Sequence, residues 1–325
     1  MQIDGVFRYV FPSLQLLFPI FRGTTLKRGT TQSFAEHKCM NNQTWYLSRF
    51  WWRSVVTEIA KYQFLIVVAV LCLIPFFWVF STALKSSIEI TSTPLGLPQT
   101  PTLENFVHAW VKGRMGKYFF NSVIVSVPIV ILTVSLSSLA GYAFARHSFA
   151  GRKVIFYIFL IGLTLPFQSI MIPLYYTLVE FKILGTYWGM IIPQTALSLS
   201  FGVFIMRAFF QGMPAEIEDA ARVDGCNEFG VFWRVILPIS SPGLVTLGIF
   251  SFLGAWNAFL LPLIFMQRDD LRPLSVGLMF FQSRYVRDFG MTMAGATIAC
   301  LPILIIYIIF QRQFIRGMTA GALKG

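Results

Sequence analysis

A chain of 325 residues that is 56% hydrophobic and only 12% charged cannot clothe a water-soluble globule in polar groups. Its mean hydropathy of +0.67 comes from recurring apolar runs of more than about 18 residues, each able to cross a bilayer as a helix. Continuous runs rather than ten-residue alternation exclude a β-barrel and give an all-α membrane protein. The net charge of +12 is the basic flanking of membrane loops and excludes nucleic acid as an expected partner.

In chain order, residues 1–60 form an N-terminal extension. The apolar stretch 9–21 is too short to span and is broken by Pro12 and Pro19, with no cleavage signature behind it. Translation from Met40, leaving 1–39 unmade, is an alternative start. Trp45, Tyr46, Trp51 and Trp52 interleave with Arg49 and Arg53, a mixture suited to a helix lying on an anionic leaflet. The remainder, 61–325, carries six expected spans at about 62–84, 119–145, 154–179, 187–206, 243–266 and 291–310. None of them holds Asp, Glu, Lys, Arg or His. With the N-terminus inside, 17 of the 26 Lys and Arg fall on the inner side, so both termini and the stretch between spans four and five are expected to be cytoplasmic.

What the chain lacks narrows its chemistry. No G-x-x-x-x-G-K-[ST] is present, so ATP has no P-loop here. His37, His108 and His147 lie outside the spans, and the four cysteines are scattered; no catalytic set, cofactor or metal is expected. A proton-coupled carrier ordinarily holds an intramembrane acid or histidine, and these spans have none. A path for a neutral, hydroxyl-rich solute would draw on Asn121, Gln168, Gln194, Ser198, Ser200 and Asn257, with Trp256 and Tyr176 as stacking faces. The same amides and hydroxyls could equally glue helix to helix.

The 211–240 stretch contains a patterned segment. Pro214 fits a first helical turn, Glu216, Glu218 and Asp219 favour its positive end, and Gly225 is placed to end the helix left-handed. Asn227 can cap a second helix with an apolar face of Phe229, Phe232, Trp233 and Ile236, stopped by Pro238. The expected product is a short helix–turn–helix at the membrane surface.

This segment resembles the EAA loop of ABC importer permeases, E-A-A-x-x-x-G followed nine residues later by I-x-L-P. Here Asp219, Ala220 and Ala221 precede Gly225, and Val235, Ile236, Leu237 and Pro238 close the pattern; Asp stands for Glu and Val for Ile. STALK at 81–85, PTLENF at 101–106, YFFNS at 118–122, AGYAFAR at 140–146 and FLGAWNAFLLP at 252–262 are similar to carbohydrate-importer permeases of the maltose-transporter small-subunit type. The resemblance implies a six-span type I importer bundle with a cytoplasmic coupling helix. Its coupling residues would be Glu218, Asp219, Ala220, Ala221, Asp224, Gly225, Leu237 and Pro238, and its pathway candidates Gln168, Asn121, Trp256 and Asn257. It also implies a cytosolic ABC ATPase pair, a second permease, an extracytoplasmic solute-binding protein and a sugar substrate. The 267–290 loop, with Arg268, Arg272, Arg284 and Arg287, would face the binding protein. Glycerol-phosphate or another hydroxyl-rich solute is the alternative cargo, and a secondary transporter or channel the alternative class.

Overall fold

The computed structural model describes residues 33–284 and 288–322, with side-chain surroundings for 56–279 and 288–313. Residues 1–32, the side chains of Trp45, Tyr46, Arg49, Trp51, Trp52 and Arg53, and those of Arg284 and Arg287 lie outside the described residues. Among those described, every regular element is helical, as a lipid-embedded backbone demands when no water is present to bond stray N–H and C=O groups. Contacts divide the chain into two units, Met1–Leu71 and Cys72–Gly325.

Helix α1 spans Ser33–Ala83, and its residues up to Leu71 are the described part of the first unit. Sequence places the first span at 62–84, yet the helix begins far earlier, because 33–61 contains no glycine or proline to stop it. Its Val56–Ala83 stretch is long and apolar enough to cross a membrane, and residues 56–78 are exposed.

The second unit continues through α2 (Ser87–Ser92), α3 (Glu104–Val111), α4 (Met115–Arg146), α5 (Arg152–Thr164), α6 (Phe167–Glu180) and α7 (Trp188–Gln211). It ends with α8 (Glu216–Val223), α9 (Glu228–Ile239), α10 (Ser241–Trp256), α11 (Leu260–Phe265), α12 (Leu274–Arg284) and α13 (Phe289–Ala322). Four helical stretches pass as spans by themselves, and six if each of two bent pairs, α5–α6 and α9–α10, is one span.

Two of the expected spans are bent or interrupted. Residues 154–179 are not one straight helix: α5 and α6 meet at 105°. Leu165 adopts extended backbone with ψ 115, the conformation a following proline imposes. The fifth run, 243–266, breaks after Trp256. There the Ala258 carbonyl accepts a hydrogen bond from Ser275 Oγ at 2.6 Å, so a side chain in the first turn of α12 replaces the lost helical donor.

Small residues let α4 and α7 touch backbone to backbone. A Cβ on Gly141 would stand 2.7 Å from Met206 Cβ and 2.9 Å from the Arg207 amide nitrogen, and a Cβ on Gly202 would collide with Ser137 Oγ. Such close approach takes the place of the hydrophobic drive that lipid removes. Around this axis, Val125, Ile129, Met190, Ile191, Leu261 and Phe265 form one core cluster. Tyr142, Met206, Phe210, Val231, Phe232 and Ile236 form another at the end that carries α8 and α9.

Candidate coupling site

Helix α8 is preceded by Pro214 and carries Glu216, Glu218 and Asp219 in its first turn, where carboxylates meet the positive end of the helix dipole. It ends on Gly225 at φ +87. The Cys226 N–H bonds the Ala221 carbonyl and the Gly225 N–H the Arg222 carbonyl, both at 3.0 Å. This is a Schellman closure, which satisfies the final carbonyls and favours a residue without Cβ. Asn227 then caps α9, its Oδ1 accepting from the Gly230 N–H at 2.8 Å.

Arg222 fixes the angle between the two helices. Its Nε donates to Glu228 Oε1 and its Nη1 to Asp219 Oδ1, each at 2.8 Å. The guanidinium holds the Glu228 carboxyl below the usual carboxylate range. Beyond this strap, Pro238 does not stop α9 as the sequence suggests. The backbone widens to π-helical turns over Val231–Ile236, and the Leu237 N–H bonds the Phe232 carbonyl five residues back. The wider turn accommodates a ring that would clash in a tight helix.

The expected coupling residues divide by face. Glu218 and Ala221 are buried; Asp219, Ala220, Asp224, Gly225 and Pro238 are exposed, and Leu237 is half-buried. The apolar face of α9 also divides: Phe232 and Ile236 pack inward, joined by Val231, whereas Phe229 is 71% and Trp233 44% exposed. Their rings lie 5.8 Å apart, and Val223, 88% exposed, stands on α8. An outward surface of Asp219, Val223 and two aromatics results.

The four pathway candidates also part company. Asn121 Nδ2 donates to the carbonyls of Asp270 and Arg272 at 2.9 Å each, while its Oδ1 accepts from Tyr187 Oη at 2.7 Å. Trp256 is buried, donates Nε1–H to the Ala299 carbonyl at 3.1 Å and stacks on Phe252. Gln168 and Asn257 are exposed, each beside a break in a bent or interrupted helix. The two breaks belong to one cluster, where Phe167 and Phe265 rings lie 6.2 Å apart. In the 267–290 loop, Arg268 pairs with Asp270 and Arg272 with Asp269.

Residues 133–320 match the family model described as binding-protein-dependent transport system inner membrane component. The chain belongs to that family. It is 36% identical over 266 residues, 81% of this chain and 88% of the relative, to a diacetylchitobiose uptake system permease protein, NgcG, of Streptomyces coelicolor. An arabinooligosaccharides transport system permease protein, AraQ, of Halalkalibacterium halodurans is 35% identical over 262 residues, 79% of this chain and 93% of the relative. Among solved structures, a bacterial ABC transporter involved in the import of the acidic polysaccharide alginate has the same fold. Its TM-score is 0.69 at 22% identity, covering 80% of this chain and 96% of that one.

The family match runs from within α4 through α13, so α8 and α9 sit near its middle. For this binding-protein-dependent permease, sequence reasoning missed Tyr142, Arg146 and Arg222, the partners that hold α8 in place, and the exposure of Phe229 and Trp233. Only the aromatics in a polar loop offered a signal. The role of Asn121 was also hidden, since its acceptors lie 149 and 151 residues away. Replacing Asn121 by leucine leaves two half-buried carbonyls and a tyrosine hydroxyl short of partners. It is expected to cost about 1–3 kcal/mol, read as a lower melting temperature of the detergent-purified chain.

Proposed function

We propose that this chain is the permease subunit of an ATP-driven importer for a sugar or oligosaccharide, working beside a second, different permease. A cytosolic pair of ABC ATPase subunits would supply the hydrolysis, and an extracytoplasmic binding protein the solute. Both termini and the 211–240 loop would then be cytoplasmic, in line with the distribution of Lys and Arg. The observation that carries the reading is the α8–α9 loop: a rigid, capped helix–turn–helix presenting Asp219, Val223, Phe229 and Trp233 outward, in a chain with no nucleotide motif of its own. A membrane pathway without a fuel site needs such a handle.

Family membership supports the importer reading, and the carbohydrate names of its relatives support the cargo. An uncharged path agrees with them, because a neutral polyol needs hydrogen-bonding groups rather than a counter-ion. Gln168 and Asn257 are the residues proposed to meet solute, with Asn121 and Trp256 holding the walls. The exposed apolar side of α1 from Val56 to Trp78 would face lipid and the second permease.

A cysteine at Val223 tests the central claim. In membranes of cells making the whole transporter, it is expected to crosslink to the ATP-hydrolysing subunit, and uptake should stop on ATP depletion with the ion gradient maintained. Uptake that survives depletion, with no such crosslink, identifies a gradient-driven carrier instead.

A further inference from the structure

Glu218 is turned away from the surface that Asp219 presents: it is 3% exposed, whereas Asp219's side chain is 70% exposed. The last turn of α4 receives it. Tyr142 Oη donates to Glu218 Oε2 at 3.2 Å, and Arg146 Nε lies 2.6 Å from Oε1. That N–H is not aimed along the line between the atoms, so the pair is a charge contact rather than a directed hydrogen bond. Arg146 Nη2 instead donates to the Met213 carbonyl at 2.8 Å, just ahead of α8. Arg222 Nη2 approaches Oε2 from α8 itself at 3.4 Å. A carboxylate this deeply buried is tolerable only with such compensation, and in this position it has no reach toward another protein.

Helix α4 runs without interruption from Met115 to Arg146, about 48 Å at 1.5 Å per residue. Its opposite end is fastened as firmly. Arg114 and Tyr118 bond Asp269 at 3.1 and 3.0 Å, and Asn121 holds the carbonyls of Asp270 and Arg272. One helix therefore has α8 tied to one end and the 267–272 segment tied to the other.

We propose that Glu218 is a positioning residue which locks α8 to α4, so that a push on the loop is carried along α4 as a rod to the 267–272 segment at the far side. This rests on the coupling role proposed above for the loop. Glu218 would thus act in transmission, while Asp219 and Val223 act in docking.

The test uses the complete transporter in proteoliposomes. With Glu218→Gln, the Val223 cysteine crosslink to the ATPase is expected to form in native yield and ATP hydrolysis to persist. Solute moved per ATP should fall at least tenfold. Arg146→Lys, which keeps the cation, should retain more than half of native coupling, and Arg146→Met should behave like Glu218→Gln. This second pair gives the answer from the partner's side should Glu218→Gln not fold. Spin labels at Glu216 and Ser148, both exposed, should keep one separation with and without ATP in the native chain and a nucleotide-dependent or broadened one in Glu218→Gln. Native stoichiometry in Glu218→Gln and Arg146→Met, or loss of the Val223 crosslink in them, overturns the proposal and leaves the docking reading standing. Absence of that crosslink in the native chain overturns the docking reading itself.

Discussion

Replacing Asp219 by lysine is expected to abolish uptake while leaving a correctly inserted permease. The side chain is 70% exposed, and its ion pair to Arg222 is a surface pair. Losing it costs about 0.2–1 kcal/mol, and a cation in the first turn of α8 adds roughly 0.3–1 kcal/mol against the helix dipole. Those sums do not unfold a helix that also has its Schellman end, its Asn227-capped neighbour and buried Glu218 and Ala221 to hold it. The effect on docking is of another size. A lysine beside Arg222 puts a positive group where the loop offers a negative one, and like-charge juxtaposition in an interface costs several kcal/mol. At about 1.4 kcal/mol per tenfold, 3 kcal/mol already weakens binding by about 100-fold. Co-purification of the ATPase with the permease and uptake in intact cells are the measurements. Asp219→Asn, neutral and isosteric, should lose much less, and native uptake by Asp219→Lys would remove Asp219 from the docking surface.

The contrast between Glu218 and Asp219 shows what could be read from the chain and what could not. Local features were legible: Gly225 as the left-handed stop and Asn227 as a cap depend on neighbours within a few residues. The apolar spans were equally legible, since an uninterrupted run without charge has few other homes. Which of two adjacent acids turns inward depends on Tyr142 and Arg146, more than 70 residues upstream, and no local pattern encodes that. Prolines were ambiguous for a similar reason. Pro128, Pro173, Pro193 and Pro302 all stay inside helices, while Pro166 breaks one. Each of these prolines lacks the backbone N–H donor, and packing decides whether the helix bends away or neighbours absorb the gap. The same non-locality hides what an amide within the spans bonds. From sequence Asn121 could line a path or join elements; its hydrogen bonds to the Asp270 and Arg272 carbonyls and from Tyr187 favour the second, whereas Gln168 and Asn257 keep exposed side chains beside the breaks.

Gly141→Leu is expected to have the largest effect on the protein itself. The new Cβ alone would press on Met206 Cβ at 2.7 Å and on the Arg207 amide nitrogen at 2.9 Å, and a main-chain atom has no rotamer with which to yield. Four residues earlier on the same face, Ser137 meets Gly202, so α4 and α7 are matched along more than one turn and cannot part at Gly141 alone. Overpacking a tight core costs about 1–3 kcal/mol and more where backbone is struck. Separation of α4 from α7 also opens the cluster of Tyr142, Met206 and Phe210 on which Val231, Phe232 and Ile236 of α9 rest. The damage therefore reaches the α8–α9 loop from beneath, without touching a residue on its surface. Detergent extraction should yield little monodisperse Gly141→Leu protein, with a melting temperature far below native. Gly254→Leu provides the comparison, because a Cβ there has no neighbour within 4 Å and the chain should fold normally. Equal melting of both variants would show that α4 and α7 are not held at the separation these two glycines allow.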